Sequence, residues 1–245
     1  RALPANDTYF WRVVAVDNAG NTNAAAPRRV RVDTAGPNGI VTLLAPLSNS
    51  DTRLTTVSFS WAGGSDAFTG LLGYRLQVDT ANTFATPLVD SFTPLTSGTR
   101  TLTANDTYYW RILAVDSATN TAATSSEFFR VDTAPPTAPS LLSPATGHDT
   151  NVTTFSFLWG ASVDNLNLAD YRFQLATTGT FASIVADSIF TSVGCSQTFA
   201  PNDTYYWRVI ARDSAGNADT SVTRLFRVDT STPSVVVLAT PATNS

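Results

Sequence analysis

The stretch Asn6-Asp7-Thr8-Tyr9-Phe10-Trp11-Arg12-Val13 occurs three times in this chain with small changes. The second copy is Asn105-Asp106-Thr107-Tyr108-Tyr109-Trp110-Arg111-Ile112, and the third is Asn202-Asp203-Thr204-Tyr205-Tyr206-Trp207-Arg208-Val209. Successive copies lie roughly a hundred residues apart, which is too long for a solenoid repeat and fits one β-sandwich domain. Each copy therefore predicts one domain of a tandem array.

The side chains around each copy alternate with the period of a β-strand. In the second copy, Tyr108, Trp110 and Ile112 share one face, which we predict to be the core face, and the residues between them face outward. Two upstream segments alternate in the same way: Val57-Ser58-Phe59-Ser60-Trp61 and Phe155-Ser156-Phe157-Leu158-Trp159. The pattern predicts strands throughout the repeat.

The composition excludes several classes of protein. All 15 basic residues are Arg and only one of the 19 acidic residues is Glu, so good helix formers are scarce. The net charge of −4 with no basic run argues against nucleic acid or an anionic membrane as a partner. No apolar run is long enough to span a bilayer, so we expect no membrane insertion.

The pattern resembles the fibronectin type III domain. A Trp closes the second strand (Trp61, Trp159) and a Tyr opens the third (Tyr74, Tyr171). The entries to the repeated strand resemble the tyrosine corner of that family, and they are Leu3 to Tyr9, Leu102 to Tyr108 and Phe199 to Tyr205. The resemblance implies an all-β chain of tandem fibronectin-III-like β-sandwich domains arranged end to end, as in large bacterial or archaeal extracellular surface proteins.

Proline-bearing linkers after each Val-Asp-Thr predict the domain boundaries. Residues 35–133 and 134–230 are predicted to be two complete sandwiches. Residues 1–34 are predicted to hold the last two strands of an upstream domain, and residues 231–245 the first strand of a downstream one. A longer polypeptide or a neighbouring chain would complete these two segments, and we favour the longer polypeptide.

Catalytic side chains are scarce and scattered. The chain has one His (His148), one Cys (Cys195) and one Glu (Glu127), which lie in different parts of the repeat pattern. Acid–base and nucleophilic catalysis need such groups to converge, so we predict a protein that is not an enzyme, with no catalytic and no cofactor-binding residues.

Aspartates are the candidate metal ligands. In a sandwich of this topology the incoming linker and two loops meet at one pole, which we expect to gather two sets of three: Asp33, Asp66 and Asp116, then Asp132, Asp164 and Asp213. Three carboxylates suit Ca²⁺, a hard cation with oxygen ligands. The Val-Asp-Thr linker and the Asp-x-Ala-Gly-Asn turn also resemble those of giant bacterial surface adhesins, which implies Ca²⁺ at the interdomain joints. Aspartate is equally an ordinary turn former, so the alternative that the joints bind no cofactor remains.

Four Asn-x-Ser/Thr sequons are candidate glycosylation sites: Asn6, Asn105, Asn151 and Asn202. Three of them occupy the same position of the repeat. Asn-Asp-Thr is also good turn chemistry ahead of a strand, and we favour that interpretation slightly.

The repeats predict a structural role in an extracellular or cell-surface fibre, stalk or filament, such as an appendage or an adhesin. Its partners would be neighbouring copies of the repeat in the same or adjacent chains, with any glycan or cell-surface target elsewhere in the protein. We expect lateral contacts through an outward row that comprises Phe10, Tyr109, Leu113, Phe128, Tyr206, Ile210 and Leu225. The alternative is a carbohydrate- or protein-binding accessory module of a secreted multidomain protein.

Overall fold

The structure, a computed structural model, describes residues 2–39 and 41–237 of the chain. The chain divides into two units, residues 1–133 and 134–245. Every regular element in the described ranges is a β-strand, and no helix there is long and apolar enough to cross a membrane. The all-β prediction is confirmed.

The first unit begins with two small strand pairs and continues as a complete sandwich. Its strands are β1 (Asp7–Trp11), β2 (Val14–Val16), β3 (Thr22–Ala24), β4 (Arg28–Val32), β5 (Val41–Ala45), β6 (Ser50–Thr52), β7 (Thr56–Gly63), β8 (Leu71–Asp79), β9 (Val89–Thr93), β10 (Ser97–Thr101), β11 (Asp106–Asp116), β12 (Thr121–Ala123) and β13 (Glu127–Val131). β1 pairs with β4 and β2 pairs with β3. The sandwich packs the sheet β10-β7-β5 against the sheet β6-β13-β11-β8-β9, in which β12 also pairs with β11.

The second unit has the same strand order. Its strands are β14 (Leu141–Ser143), β15 (His148–Thr150), β16 (Thr154–Trp159), β17 (Leu168–Ala176), β18 (Ile184–Phe190), β19 (Gly194–Thr198), β20 (Asp203–Asp213), β21 (Ala218–Thr220) and β22 (Arg224–Val228). One sheet is β14-β16-β19, and the other is β15-β22-β20-β17-β18 with β21 on β20. β20 is the counterpart of β11, and both are the central Tyr-x-Trp strands of their repeats.

The inward faces predicted from the alternation are confirmed. Trp110 and Trp207 lie in the centre of their sandwiches and are fully buried, as are Trp61 and Trp159 in the facing sheets. The ring of Trp110 lies edge-on to Phe59, with 5.3 Å between centroids. Trp11, the counterpart of Trp110 and Trp207, is 52% exposed, because the described residues supply no second sheet to cover β1 and β4.

A tyrosine corner closes the entry to each repeated strand. The Tyr9 hydroxyl donates to the carbonyl oxygen of Pro4 at 2.9 Å. Tyr108 donates to Thr103 at 3.0 Å, and Tyr205 donates to Ala200 at 2.9 Å. The resemblance to the family therefore extends to this hydrogen bond in all three copies.

The segment that follows the turn after each central Tyr-x-Trp strand forms two strands, β12 and β13 in the first unit and β21 and β22 in the second. Thr124 separates β12 from β13: its hydroxyl accepts a hydrogen bond from the Ile112 N–H at 3.2 Å, and its own N–H donates to the Ile112 carbonyl at 2.9 Å. Ser221 occupies the same position against Val209 in the second unit. The two strands expected within residues 1–34 are four short ones, β1 to β4.

A strand is predicted within residues 231–245, and the structure describes only residues 231–237 of this segment. Residues 231–237 are exposed and have no regular secondary structure. The rest of the strand predicted for residues 231–245 lies outside the described residues.

Candidate functional site

The first unit brings three of the predicted aspartates together. Asp33 follows β4, Asp66 lies in the loop between β7 and β8, and Asp116 is the last residue of β11. One carboxylate oxygen from each lies within 4.8 Å of the other two. The sequence prediction of a shared pole is correct for this set, and Ca²⁺ binding there stays a prediction.

Asp116 is the most deeply placed of the three, with no exposed surface. Its Oδ1 atom accepts hydrogen bonds from the N–H groups of Ala118 at 2.9 Å and Asn120 at 2.8 Å. Its Oδ2 atom accepts another from the Asn120 side-chain amide at 2.8 Å. These bonds fix the carboxylate at the turn, and the Asn of the Asp-x-Ala-Gly-Asn-type turn therefore has a role that the sequence analysis missed.

Asp66 is held by its own loop. Its Oδ1 atom accepts hydrogen bonds from the N–H groups of Phe68, Thr69 and Gly70 at 3.1, 2.8 and 2.8 Å. Burial acts to raise the pKa of this carboxyl, but the backbone donors, with Gly70 first, outweigh it and hold the pKa below its ordinary value. Asp66 is thus anionic at neutral pH.

Asp33 connects the linker to the sandwich. Its Oδ2 atom accepts a hydrogen bond from the Thr69 hydroxyl at 2.7 Å, and its backbone carbonyl accepts one from the Asn120 amide at 3.2 Å. Carboxylates from three separate segments therefore converge. Oxygen ligands of this kind suit Ca²⁺ chemistry better than that of metals that prefer nitrogen or sulfur.

Asp164 and Asp213 of the second unit are held by hydrogen bonds from their own loops, as Asp66 and Asp116 are in the first. Asp164 Oδ1 accepts hydrogen bonds from the N–H groups of Leu166 and Asn167 at 3.0 and 2.7 Å. Asp213 Oδ2 accepts one from the Asn217 amide at 2.7 Å. The Asp164 Oδ2 atom is buried and has no hydrogen-bond partner among the described residues. Asp132 is a buried residue of the first unit, and a metal site for this set stays a prediction.

The three Asn-Asp-Thr sequons have a structural role that their turn chemistry only partly predicted. Asn105 has a left-handed backbone (φ 63°), and its Oδ1 atom accepts hydrogen bonds from the Thr133 N–H at 2.9 Å and the Thr133 hydroxyl at 3.3 Å. Asn6 holds Thr34 and Asn202 holds Thr230 in the same way. These asparagines fasten the Val-Asp-Thr linker to the start of the Tyr-x-Trp strand. Asn151 is exposed, and glycosylation at all four sites stays a prediction.

The outward row of predicted lateral contacts is partly covered by its own repeat. Tyr109, Leu113, Phe128, Tyr206, Ile210 and Leu225 are half-buried, whereas Phe10 is 73% exposed. The Tyr109 ring lies against Phe128, with 6.0 Å between centroids. The sequence analysis placed this row correctly on the outer face, but its use as an interface stays a prediction.

A side-chain ladder beside this row was missed by the sequence analysis. The Arg111 guanidinium lies 4.2 Å from the centre of the Phe84 ring, and its Nε atom donates to Gln77 Oε1 at 2.8 Å. The Gln77 amide in turn donates to Asp90 at 3.1 Å. The second unit repeats the ladder with Arg208, Phe181, Gln174 and Asp187. The recurrence of Arg-x-Gln and of a Phe seven residues after the Gln is the signal that could have revealed it.

In the ladder of the second unit, Asp187 has a pKa below its ordinary value. The hydrogen bonds from Arg172 are the main cause; burial opposes them, and the Gln174 amide adds to the lowering. A carboxyl with a lowered pKa stabilises the folded state above its unfolded pKa, and that stabilisation is lost as the pH falls through the folded value. The Asp187 carboxylate therefore stays negatively charged at neutral pH.

Two substitutions, both of which remove the sequon, separate the role of the Asn105–Thr133 hydrogen bonds from that of glycosylation. Asn105→Leu removes the acceptor for Thr133 and places a branched side chain at a positive φ, so we expect a loss of about 2 to 3 kcal/mol in the free energy of unfolding. Asn105→Asp keeps an acceptor and tolerates that φ, so we expect a loss below about 1 kcal/mol. Urea unfolding of both variants measures the difference. Equal losses of unfolding free energy would show that the Asn105–Thr133 hydrogen bonds do not stabilise the linker.

The sequence comparisons match the chain to parts of two enzymes. No protein-family model matches. The chain is 27% identical over 238 residues to exoglucanase B of Cellulomonas fimi and 29% identical over 243 residues to chitinase A1 of Niallia circulans. The matches cover 94% and 92% of this chain. The chain spans only 21% of the exoglucanase and 32% of the chitinase.

Two solved structures match this chain at low sequence identity. The fibronectin(III)-like modules of CbhA from Clostridium thermocellum match with a TM-score of 0.49 at 14% identity, over 78% of this chain and 94% of that one. The FN1–FN3 domains of chicken CNTN1 match with a TM-score of 0.49 at 15% identity, over 91% of this chain and 76% of that one.

The chain's own structure identifies the fold. Each complete repeat has a three-stranded sheet packed against a larger sheet whose central strand carries the Tyr-x-Trp pattern. Trp61 lies near the end of β7, Trp159 is the last residue of β16, and a tyrosine corner precedes each Tyr-x-Trp strand. The two complete repeats of this chain are fibronectin-type-III-like β-sandwich domains.

Proposed function

We propose that this chain is a non-catalytic accessory segment of an extracellular multidomain protein, in which its repeats connect other domains. The observation that carries the proposal is the asymmetry of the sequence matches. They cover nearly the whole of this chain but only 21% and 32% of an exoglucanase and a chitinase. A segment that recurs as a minor part of two differently named enzymes is better explained as a shared accessory than as the catalytic part of either. The proposal includes an extracellular location. The two matched enzymes are named for glucan and chitin, which are polymers and are therefore met outside the cell.

The outer surface of the repeats, like the comparisons, favours the accessory alternative over a fibre subunit. A lateral interface would need outward rings that are free to contact a neighbour. In the first repeat Tyr109 lies on Phe128, and Arg111 is engaged by Phe84 and Gln77. This internal satisfaction supports a surface that is stable in water without a partner chain.

A connecting role is also better supported than sugar binding. Flat rings that stack on sugars must be exposed, and among the Phe, Tyr and Trp residues described between 41 and 228 the exposed ring is that of Phe92, at 51%. It lies over Gly73, where a Cβ atom would come within 2.7 Å of the ring. A single ring of this kind offers far less contact than a row of exposed rings would.

We further propose that Ca²⁺ binds between Asp33, Asp66 and Asp116 and stiffens the joint between the linker and the sandwich. Three carboxylates with oxygens within 4.8 Å of one another repel unless a cation or a proton compensates them. Asp33 belongs to the linker, whereas Asp66 and Asp116 belong to the sandwich. A cation held by all three would tie the linker in place.

The connecting role is tested by incubating the purified chain with microcrystalline cellulose and with chitin. We expect the chain to stay in the supernatant, as serum albumin does, and to release no soluble sugar. Sugar release would overturn the non-catalytic assignment. Retention on either polymer would replace the connecting role by a binding role, and Phe92→Ala would then show whether the exposed ring is responsible.

Calcium binding is tested by titration calorimetry and by melting with Ca²⁺ or excess chelator. We expect Ca²⁺ to raise the melting temperature, and we expect Asp66→Asn to remove one bound ion per chain. Asp106→Asn is the matched control, because Asp106 is an exposed residue of the same repeat outside the cluster. Melting that is unchanged by chelator, without heat of binding, would overturn this proposal and leave the connecting role intact.

A further inference from the structure

An early strand and the last strand of each complete repeat are neighbours that run in parallel. β6 pairs with β13 in this way, and β15 pairs with β22. The chain enters the repeat upstream of β6 and leaves it directly after β13. The chain first passes through β5, which pairs antiparallel with β7 in the other sheet. Once β5 has detached, tension on the two ends of a repeat pulls β6 and β13 in opposite directions along their length. The hydrogen bonds between them are loaded together in shear, whereas antiparallel neighbours at the end of a sheet can be peeled apart one bond at a time.

The backbone bonds at the ends of the parallel pair are the same in the two repeats. In the first, the Asn49 N–H donates to the Phe128 carbonyl at 2.7 Å, and the Asp132 N–H donates to the Thr52 carbonyl at 2.9 Å. The equivalent bonds of the second repeat have lengths of 2.8 and 2.9 Å. The backbone alone thus predicts similar resistance to shear in both repeats.

The side chains across the parallel pair differ between the repeats. Arg130 of β13 donates to both carboxylate oxygens of Asp51 in β6, at 2.5 and 3.2 Å, and the two side chains are only 19% and 9% exposed. The counterparts Arg227 and Asp149 lie 3.5 Å apart, and their side chains are 57% and 71% exposed. A bidentate, shielded ion pair is much stronger than a single contact in water.

The second repeat has a different tie at this edge. One guanidinium nitrogen of Arg224 in β22 donates to the carbonyl oxygens of Leu142 and Pro144, at 3.2 and 3.0 Å. These acceptors precede β15, so the tie lies outside the parallel pair. It joins the last strand to the start of the repeat without adding a charged pair to the sheared strands.

We propose that, when the chain is under tension, the Arg130–Asp51 ion pair across the parallel strands makes the first complete repeat the more resistant of the two. The second repeat then opens first and lengthens the connection while the first stays folded. This inference rests on the proposed connecting role, because only a segment between other domains would transmit such a load.

The test is single-molecule stretching of the whole chain, with chelator present so that the aspartate clusters do not contribute. We expect two sandwich-unfolding events at different forces. Asp51→Asn should raise the unfolding rate of the more resistant event by about tenfold at a given force. Asp149→Asn should leave both events unchanged, because its ion pair is exposed.

A stability control separates load bearing from general stabilisation. Tyr108→Phe removes the tyrosine-corner hydrogen bond to Thr103 in the same repeat, outside β6 and β13. It should lower the folding equilibrium constant by about fivefold while it leaves the unfolding force nearly unchanged. Equal loss of force with Tyr108→Phe and Asp51→Asn, or no change with Asp51→Asn in a folded variant, would overturn the inference. The polymer sedimentation assay would be unaffected, so the connecting role would stand or fall separately.

Discussion

A tryptophan in the central strand of each complete repeat is buried edge-on against a phenylalanine from the opposite sheet, and this contact fixes which face every neighbouring strand presents. Trp110 meets Phe59 with 5.3 Å between ring centroids, and Trp207 meets Phe157 at 5.1 Å. Because side chains alternate along a strand, a shift of one residue would place Arg111 in the core and Trp110 in water. The register of the central strand in turn sets the positions of the tyrosine corner at one end and of the aspartate turn at the other.

The core tolerates an energetic cost for this arrangement. The indole Nε1 atoms of Trp61, Trp110, Trp159 and Trp207 are buried and have no hydrogen-bond acceptor among the described residues. An unpaired buried donor costs about 1 to 3 kcal/mol, whereas burial of a ring of this size contributes roughly 4 to 6 kcal/mol. Packing therefore dominates. On the opposite face of the same strand, Arg111 and Arg208 are held by a phenylalanine ring and a glutamine, which lets an aromatic and arginine-rich surface face water.

The sequence predicted what depends on short-range periodicity and on the repeat itself. The inward tryptophans and the convergence of Asp33, Asp66 and Asp116 follow from alternation and from which loops share a pole. The ladder from Asp90 to Phe84 was beyond such reasoning. It needs the register of three strands, and it needs Phe84 in a left-handed conformation (φ 51°), which an aromatic residue rarely adopts. The division of the strand at Thr124 was missed because it depends on one hydroxyl bonding to a backbone N–H across the hairpin. The sequence repeat alone does not distinguish a fibre subunit from an accessory segment, and the comparisons favour the second of these.

Each complete repeat folds around its own Tyr-x-Trp strand, and hydrogen exchange followed by mass spectrometry is the direct test of this. We predict that the amides of β11 and β20 exchange more slowly than those of any other segment, because these strands are paired on both sides and carry the buried tryptophans. The exposed residues 231–237 should exchange fastest. Exchange in β11 or β20 as fast as in residues 231–237 would contradict the account.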